Sequence, residues 1–205
     1  MTASPFSLGT RVLGVGAALL VLVLAVGFAL PGTWGAERSV LVAAPPAAVF
    51  PLLDAPGAWR QWTAWPDSGL VAEGPERGVG ARLTWDDPEL GDGSFEIVEV
   101  APPRRVRYEV RVQGGSLHTD GTFTLAAEGG GTRVTWREEG DFGWNPLMGY
   151  WALFMERAQG RELEKALDRL EAMVRETATP ADPGSTGVGE TADSTGASPV
   201  AAPRR

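Results

Sequence analysis

Hydrophobic and polar positions divide the chain into three regimes. Residues 12–30, VLGVGAALLVLVLAVGFAL, carry no charge. At about 1.5 Å per residue, these 19 positions nearly match a hydrocarbon core of roughly 30 Å. About a dozen are Val, Leu or Phe, which sums to roughly −5 kcal/mol for insertion before the glycines are counted. Pro31 and Gly32 end the helix, and Trp34 stands where an interfacial anchor would. The pattern predicts a transmembrane anchor over 12–30, behind a short N-terminal segment, 1–11. A cleaved signal peptide is the rival reading. Its small-x-small site would be Gly27-Phe28-Ala29, which lies inside the apolar run.

At the other end, residues 177–205 are dominated by small, polar, Pro and Gly residues. Such a stretch buries too little apolar surface to offset its ordering entropy, so a disordered tail is expected. One folded domain, 37–176, is left between them.

Within that domain the apolar period is mostly two. Ser39–Ala43 reads as a short strand, and Pro45-Pro46 opens a helix that Pro51 shortens or kinks. Asp54-Ala55-Pro56-Gly57 breaks it, and Ala58–Trp62 allows one more turn. Strands are then predicted over 81–85, 94–100, 104–112, 121–127 and 132–136, with Gly and Pro between them. The clearest is RRVRYEVRV (104–112). Val106, Tyr108, Val110 and Val112 face one way and Arg105, Arg107, Glu109 and Arg111 the other, as in a half-buried antiparallel strand. Glu128-Gly129-Gly130-Gly131 marks a hairpin. No helical period separates these strands, so a meander is expected.

From Asn145 to Thr177 the period changes to that of a helix. Asn145 is placed as the N-cap and Pro146 as the first helical residue. Leu147, Trp151, Phe154, Met155, Ala158, Leu163, Ala166, Leu167, Leu170 and Val174 keep helical spacing. The first half is apolar on nearly all sides, and the second is amphipathic.

The order is a strand, two short helices, an antiparallel run and one long helix. With ERSVLVAAPPAAVF (37–50), AWRQWTAW (58–65), GSFEIVEVAPPRRVRYEV (93–110), GTFTLAAEGGGTRVTWREEGD (121–141) and NPLMGYW (145–151), it resembles the polyketide cyclase/dehydrase and lipid-transport (SRPBCC) branch of the START-like superfamily. The resemblance covers about 140 residues. It implies an α+β helix-grip fold: a curved antiparallel sheet wrapped around a long C-terminal helix, here behind an N-terminal transmembrane helix. It also implies a space between sheet and helix for a hydrophobic small molecule or lipid.

Composition narrows the chemistry. A net charge of −8 leaves no basic stripe for nucleic acid. There is no cysteine and a single histidine, which excludes disulfides, thiolate nucleophiles and Cys- or His-rich metal sites. Asp86, Asp87, Glu89 and Asp92 do not follow EF-hand spacing, and the glycines do not follow a dinucleotide or phosphate pattern. No metal and no cofactor is expected. The Lys/Arg balance around the span, Arg11 against Arg38, is nearly level. The expectation is a single-pass membrane protein with its amino terminus inside and its domain on the extracytoplasmic side.

The eight tryptophans change the picture most. They are either ordinary core packing or the wall of a cavity. On the second reading Trp62, Trp65, Trp85, Tyr108, Phe123, Trp136, Trp151 and Met155 line the ligand site. Two polar groups are candidates for its interior. Glu138 shares the parity of Val134 and Trp136, so it either points inward with a raised pKa or lies at a frayed strand end. His118 lies opposite the parity of Phe123 and Leu125 and so points outward. The function expected is non-catalytic binding of a hydrophobic small molecule or lipid. A cyclase or dehydratase acting on a polyketide-like substrate stays open, as does a protein-interaction module with a filled core. His118 or Glu138 inside a cavity would favour the enzyme, and a missing cavity the module.

Overall fold

The computed structural model describes residues 8–64, 69–87, 91–112, 114–115 and 117–178. The tail expected over 177–205 lies almost wholly outside them.

Helix α1 spans Leu8–Ala29, 22 residues. It is the one described helix long and apolar enough to cross a membrane, and its side chains face outward along almost its whole length. The chain then enters β1, Thr33–Val42. The alternation by itself predicts only Ser39–Ala43; pairing with β7 extends the strand back to Thr33.

Pro46 opens the short helix α2, Pro46–Val49. Pro51 turns its continuation into a 3-10 turn over Phe50–Leu52, because the proline ring removes a backbone donor. A second short helix, α3, covers Pro56–Trp59. Six strands follow: β2 Val71–Glu73, β3 Arg82–Asp87, β4 Gly91–Ala101, β5 Arg105–Val112, β6 Leu117–Glu128 and β7 Gly131–Asp141. All neighbours pair antiparallel, in the order β1-β7-β6-β5-β4-β3-β2. A register shift between Ile97 and Glu99 puts a bulge in β4, which bends the sheet. Gly129 and Gly130, both at positive φ, close the β6–β7 hairpin in the mirror-image turn that matches strand twist.

Helix α4, Pro146–Ala178, runs 33 residues, or about 50 Å. Asn145 caps it: its side-chain oxygen accepts from the Leu147 N–H at 3.0 Å. Its second half lays Leu163, Leu167 and Leu170 into the concave face of the sheet, all fully buried. Val42, Val49, Leu53, Ile97, Val106, Phe123 and Val134 complete that core. The fold is thus an α+β helix-grip, with a curved seven-stranded sheet around one long helix.

The convex face of the sheet is charged and solvated. Arg107 pairs with Glu99 at 3.5 Å and Asp120 at 3.7 Å, and Arg111 with Glu109 at 2.7 Å. Exposed pairs of this kind add little to stability.

Candidate functional site

The inner face of the sheet changes character along its length. Toward the β6–β7 hairpin it presents Val106, Phe123, Leu125 and Val134, which belong to the same buried core as Leu163, Leu167 and Leu170 of α4. Toward the other end the inward positions become Thr119 and Gly121 on β6, and Glu138 and Gly140 on β7. Thr119, Gly121 and Gly140 are small and leave a gap between sheet and helix, which of these four only the longer Glu138 reaches into. The gap is a cavity of about 440 Å³, within the range of small-molecule sites.

Three of its aromatic walls are seated in one way. Trp34 lies across from Gly140, Tyr108 across from Gly121, and Trp85 across from Gly93. In each pair the ring fills the place of the side chain glycine lacks, so that a β-carbon there would overlap it. The rings therefore lie against the sheet and line the cavity instead of filling it. A fourth wall is Trp59 from α3. Its indole N–H donates to the Leu53 carbonyl at 3.0 Å. Five rings surround it, those of Trp62, Phe95, Tyr108, Phe123 and Trp136, with centroids 4.7–6.1 Å away. From α4 come Met155, Gln159, Leu163 and Ala166.

At the floor lies a buried polar chain. The Trp136 indole N–H donates to the Tyr108 hydroxyl at 2.7 Å, and that hydroxyl donates to Glu138 Oε1. Gln159 Nε2 donates to Glu138 Oε2 at 2.5 Å. Glu138 is 6% exposed, and its recorded partners are neutral. Burial raises its pKa, opposed by the hydrogen bonds from Tyr108 and Gln159. Burial and the neighbouring Glu138 together push the Tyr108 phenol well above its usual value, so it stays a donor. The arrangement can hold one proton in an apolar chamber, or accept a hydrogen bond from a polar group on an otherwise apolar guest.

Of the residues expected at the site, Trp85, Tyr108, Trp136, Met155 and Glu138 border this cavity. Trp62 and Phe123 sit in the aromatic core beneath it, fully buried. Trp151 is 55% exposed on the outer side of α4. Trp65 lies outside the described residues. His118 is on the convex face, its Nε2 3.1 Å from Asp120. With Glu109 these two groups form a cluster whose carboxylates are already shared with Arg107 and Arg111. Trp34, placed at the membrane interface by its position in the sequence, is instead buried against Phe142, ring to ring at 6.4 Å. Trp34, Trp59, Thr119 and Gln159 are cavity residues that the sequence reading missed. Gln159 had a legible signal: it sits four residues from both Met155 and Leu163, a polar side chain within an apolar stripe.

Solved structures share this architecture. An uncharacterized protein from Rhizobium leguminosarum matches with a TM-score of 0.51 at 22% identity, over 70% of this chain and 95% of its own. The di-domain aromatase/cyclase StfQ of the steffimycin biosynthetic pathway matches with 0.54 at 16%, over 71% of this chain and 52% of its own. Norcoclaurine synthase from Thalictrum flavumn, in complex with a transition-state analogue, matches with 0.56 at 16%, over 72% and 97%. At such identities the likeness is one of fold. Comparison with curated protein sequences found no significant match. The model of one family, described as polyketide cyclase / dehydrase and lipid transport, matches residues 33–175, from the first residue of β1 almost to the end of α4. The chain belongs to the polyketide cyclase/dehydrase and lipid-transport family.

Proposed function

We propose that the protein is a membrane-tethered receptor for a hydrophobic small molecule or lipid, held without chemical change between sheet and α4. The observation that carries this is the cavity itself, walled by Trp34, Trp59, Trp85, Tyr108, Trp136 and Met155. A guest that buried about 200 Å² of apolar surface would gain roughly 5 kcal/mol at about 25 cal/mol per Å². Glu138, with Tyr108 and Gln159 at the floor, would fix its orientation through one polar group. Helix α1 supplies the tether, as a single membrane span with the 37–176 domain on the extracytoplasmic side. A reporter fused after Arg205 that is active only in the cytoplasm would overturn that side.

A second reading is favoured by one observation. A buried carboxyl bordering the chamber, with a pKa raised by that burial, is what a cyclase or dehydratase needs of a general acid–base group. On that reading Glu138 transfers the proton and Tyr108 positions it. A filled-core interaction module is the weakest of the three, given a cavity of this size.

The test is native mass spectrometry of the full-length chain purified in a lipid-free detergent, with extraction of whatever travels with it. An apolar molecule at near-unit occupancy, recovered unchanged, supports the receptor. A substrate converted by the protein, with conversion lost in Glu138→Gln, supports the enzyme. An empty protein that no lipid or polyketide-like compound stabilises would sink both.

A further inference from the structure

From Phe142 to Met155 the chain carries no charged residue. Within this stretch Leu147, Trp151 and Phe154 fall on one stripe of α4, and they are 60%, 55% and 62% exposed. Trp144, just ahead of the helix, is 86% exposed. A contiguous apolar surface of this kind marks an interaction site.

What it meets is set by α1. The Tyr150 hydroxyl donates to the Val23 carbonyl at 2.8 Å. The backbone of Pro146 lies against Gly27, and Gly149 lies against Leu30. The rings of Phe28 and Trp144 are 5.7 Å apart. Val23 is six residues before the end of α1 at Ala29, about 9 Å along the axis. The first turns of α4 therefore run beside the last turns of α1, at the same level.

We propose that these first turns of α4 lie in the interfacial layer of the bilayer that α1 spans, with Leu147, Trp151 and Phe154 facing lipid. The proposal rests on the reading of α1 as a membrane span. Interfacial helices sink roughly 5–10 Å into the headgroup and acyl boundary, which is the depth that Val23 sets. Tyr and Trp at that level are the side chains such a boundary favours. A bilayer is the occupant because the stripe is continuous with α1, whose own outward side chains need lipid. At about 3.6 residues per turn, Met155 projects from the edge of the stripe toward the cavity it lines. Trp34, five residues past the end of α1, lines the same cavity. The surface held by lipid is thus joined to the cavity wall through apolar side chains.

The absence of cysteine makes the test direct. Full-length Trp151→Cys, Phe154→Cys, Leu22→Cys and Asp168→Cys variants each carry one environment-sensitive fluorophore and are reconstituted in phosphatidylcholine vesicles. All four positions are exposed, so the fold tolerates the label. Labels at 22, 151 and 154 are expected to emit at shorter wavelength than the label at 168. Lipids brominated on the acyl chain should quench them at least twofold more. Quenching at 22 with water-like behaviour at 151 and 154 overturns the proposal and leaves the span standing. Shielding at 151 and 154 without lipid quenching means that protein, such as a second copy, covers the stripe, and also overturns it. No quenching at 22 overturns the span, and the proposal with it.

Discussion

Tyr108 stands directly across the β5–β6 ladder from Gly121, and its ring occupies the space where any other residue would carry a side chain. The phenol is thereby laid against the sheet with its hydroxyl on Glu138. Gly121→Ala places a methyl group inside that ring. Both partners are buried, so the ring must shift, at a cost of about 1–3 kcal/mol in unfolding free energy. Ligand affinity should fall as well, since the floor loses its donor. Urea unfolding with the midpoint unchanged would show that the ring is not seated there.

Glu138 gives a pH dependence whose sign is fixed by its raised pKa. Below the ordinary carboxyl value of 4.5 the group is protonated in both folded and unfolded chains and has no effect on stability. As pH rises past that value, the unfolded chain releases its proton more readily than the folded one. Stability is therefore lost from pH 4.5 upward until the folded group also ionises. Glu138→Gln removes that loss. The variant should melt higher than the natural protein at pH 8, with the gap closing toward pH 4. Parallel melting curves across that range would mean that Glu138 is not held in a desolvated site.

Much of this architecture is legible in the residues, and the unread part has a common cause. The alternation in RRVRYEVRV, the Asn145-Pro146 cap and the triple-glycine turn are local, so each reads correctly alone. Parity also puts Glu138 inside and His118 outside. The rim ends of β6 and β7, Leu117–Asp120 and Arg137–Asp141, escape because their inward positions, Leu117 apart, hold Thr, Gly and Glu. The apolar period fails where the cavity begins. Parity assigns Phe123 to the same side as Tyr108 and Trp136, but it does not distinguish the packed end of a face from the open end, and Trp62, in the turn after α3, has no strand parity at all. The three glycine seats depend on register between strands, which no single strand reveals. Trp34 follows from one of those seats, and Trp59 from the ring packing of α3 against the sheet, which is equally non-local.

Trp62 and Trp151 should separate sharply under truncation. Trp62 is fully buried among Trp59, Phe123 and Trp136. Trp62→Ala should cost about 3–5 kcal/mol of stability, with ligand affinity falling only as the core loosens. Trp151→Ala removes an exposed ring and should change the stability of the detergent-solubilised protein by less than about 0.5 kcal/mol. Denaturant unfolding of both variants decides the matter. Equal losses would place Trp151 in the core, contrary to its exposure.

The approach of α1 to α4 depends on two small residues. A β-carbon at Gly27 would overlap the Pro146 carbonyl, which is backbone and cannot move aside as a side chain does. Gly149 faces Leu30 and the Gly27 carbonyl in the same way. Close approach at small residues is how helices associate where lipid removes the hydrophobic drive between them. Gly27→Leu should therefore push the two helices apart without unfolding the domain, because Leu163, Leu167 and Leu170 hold the second half of α4 to the sheet. The separation can be read with a Val23→Cys, Tyr150→Cys pair and a short bismaleimide in vesicles. Cross-linking should be efficient in the otherwise natural chain and fall severalfold when Gly27→Leu is added, while the melting temperature stays put. Undiminished cross-linking would mean that α1 and α4 are held together by something other than this contact.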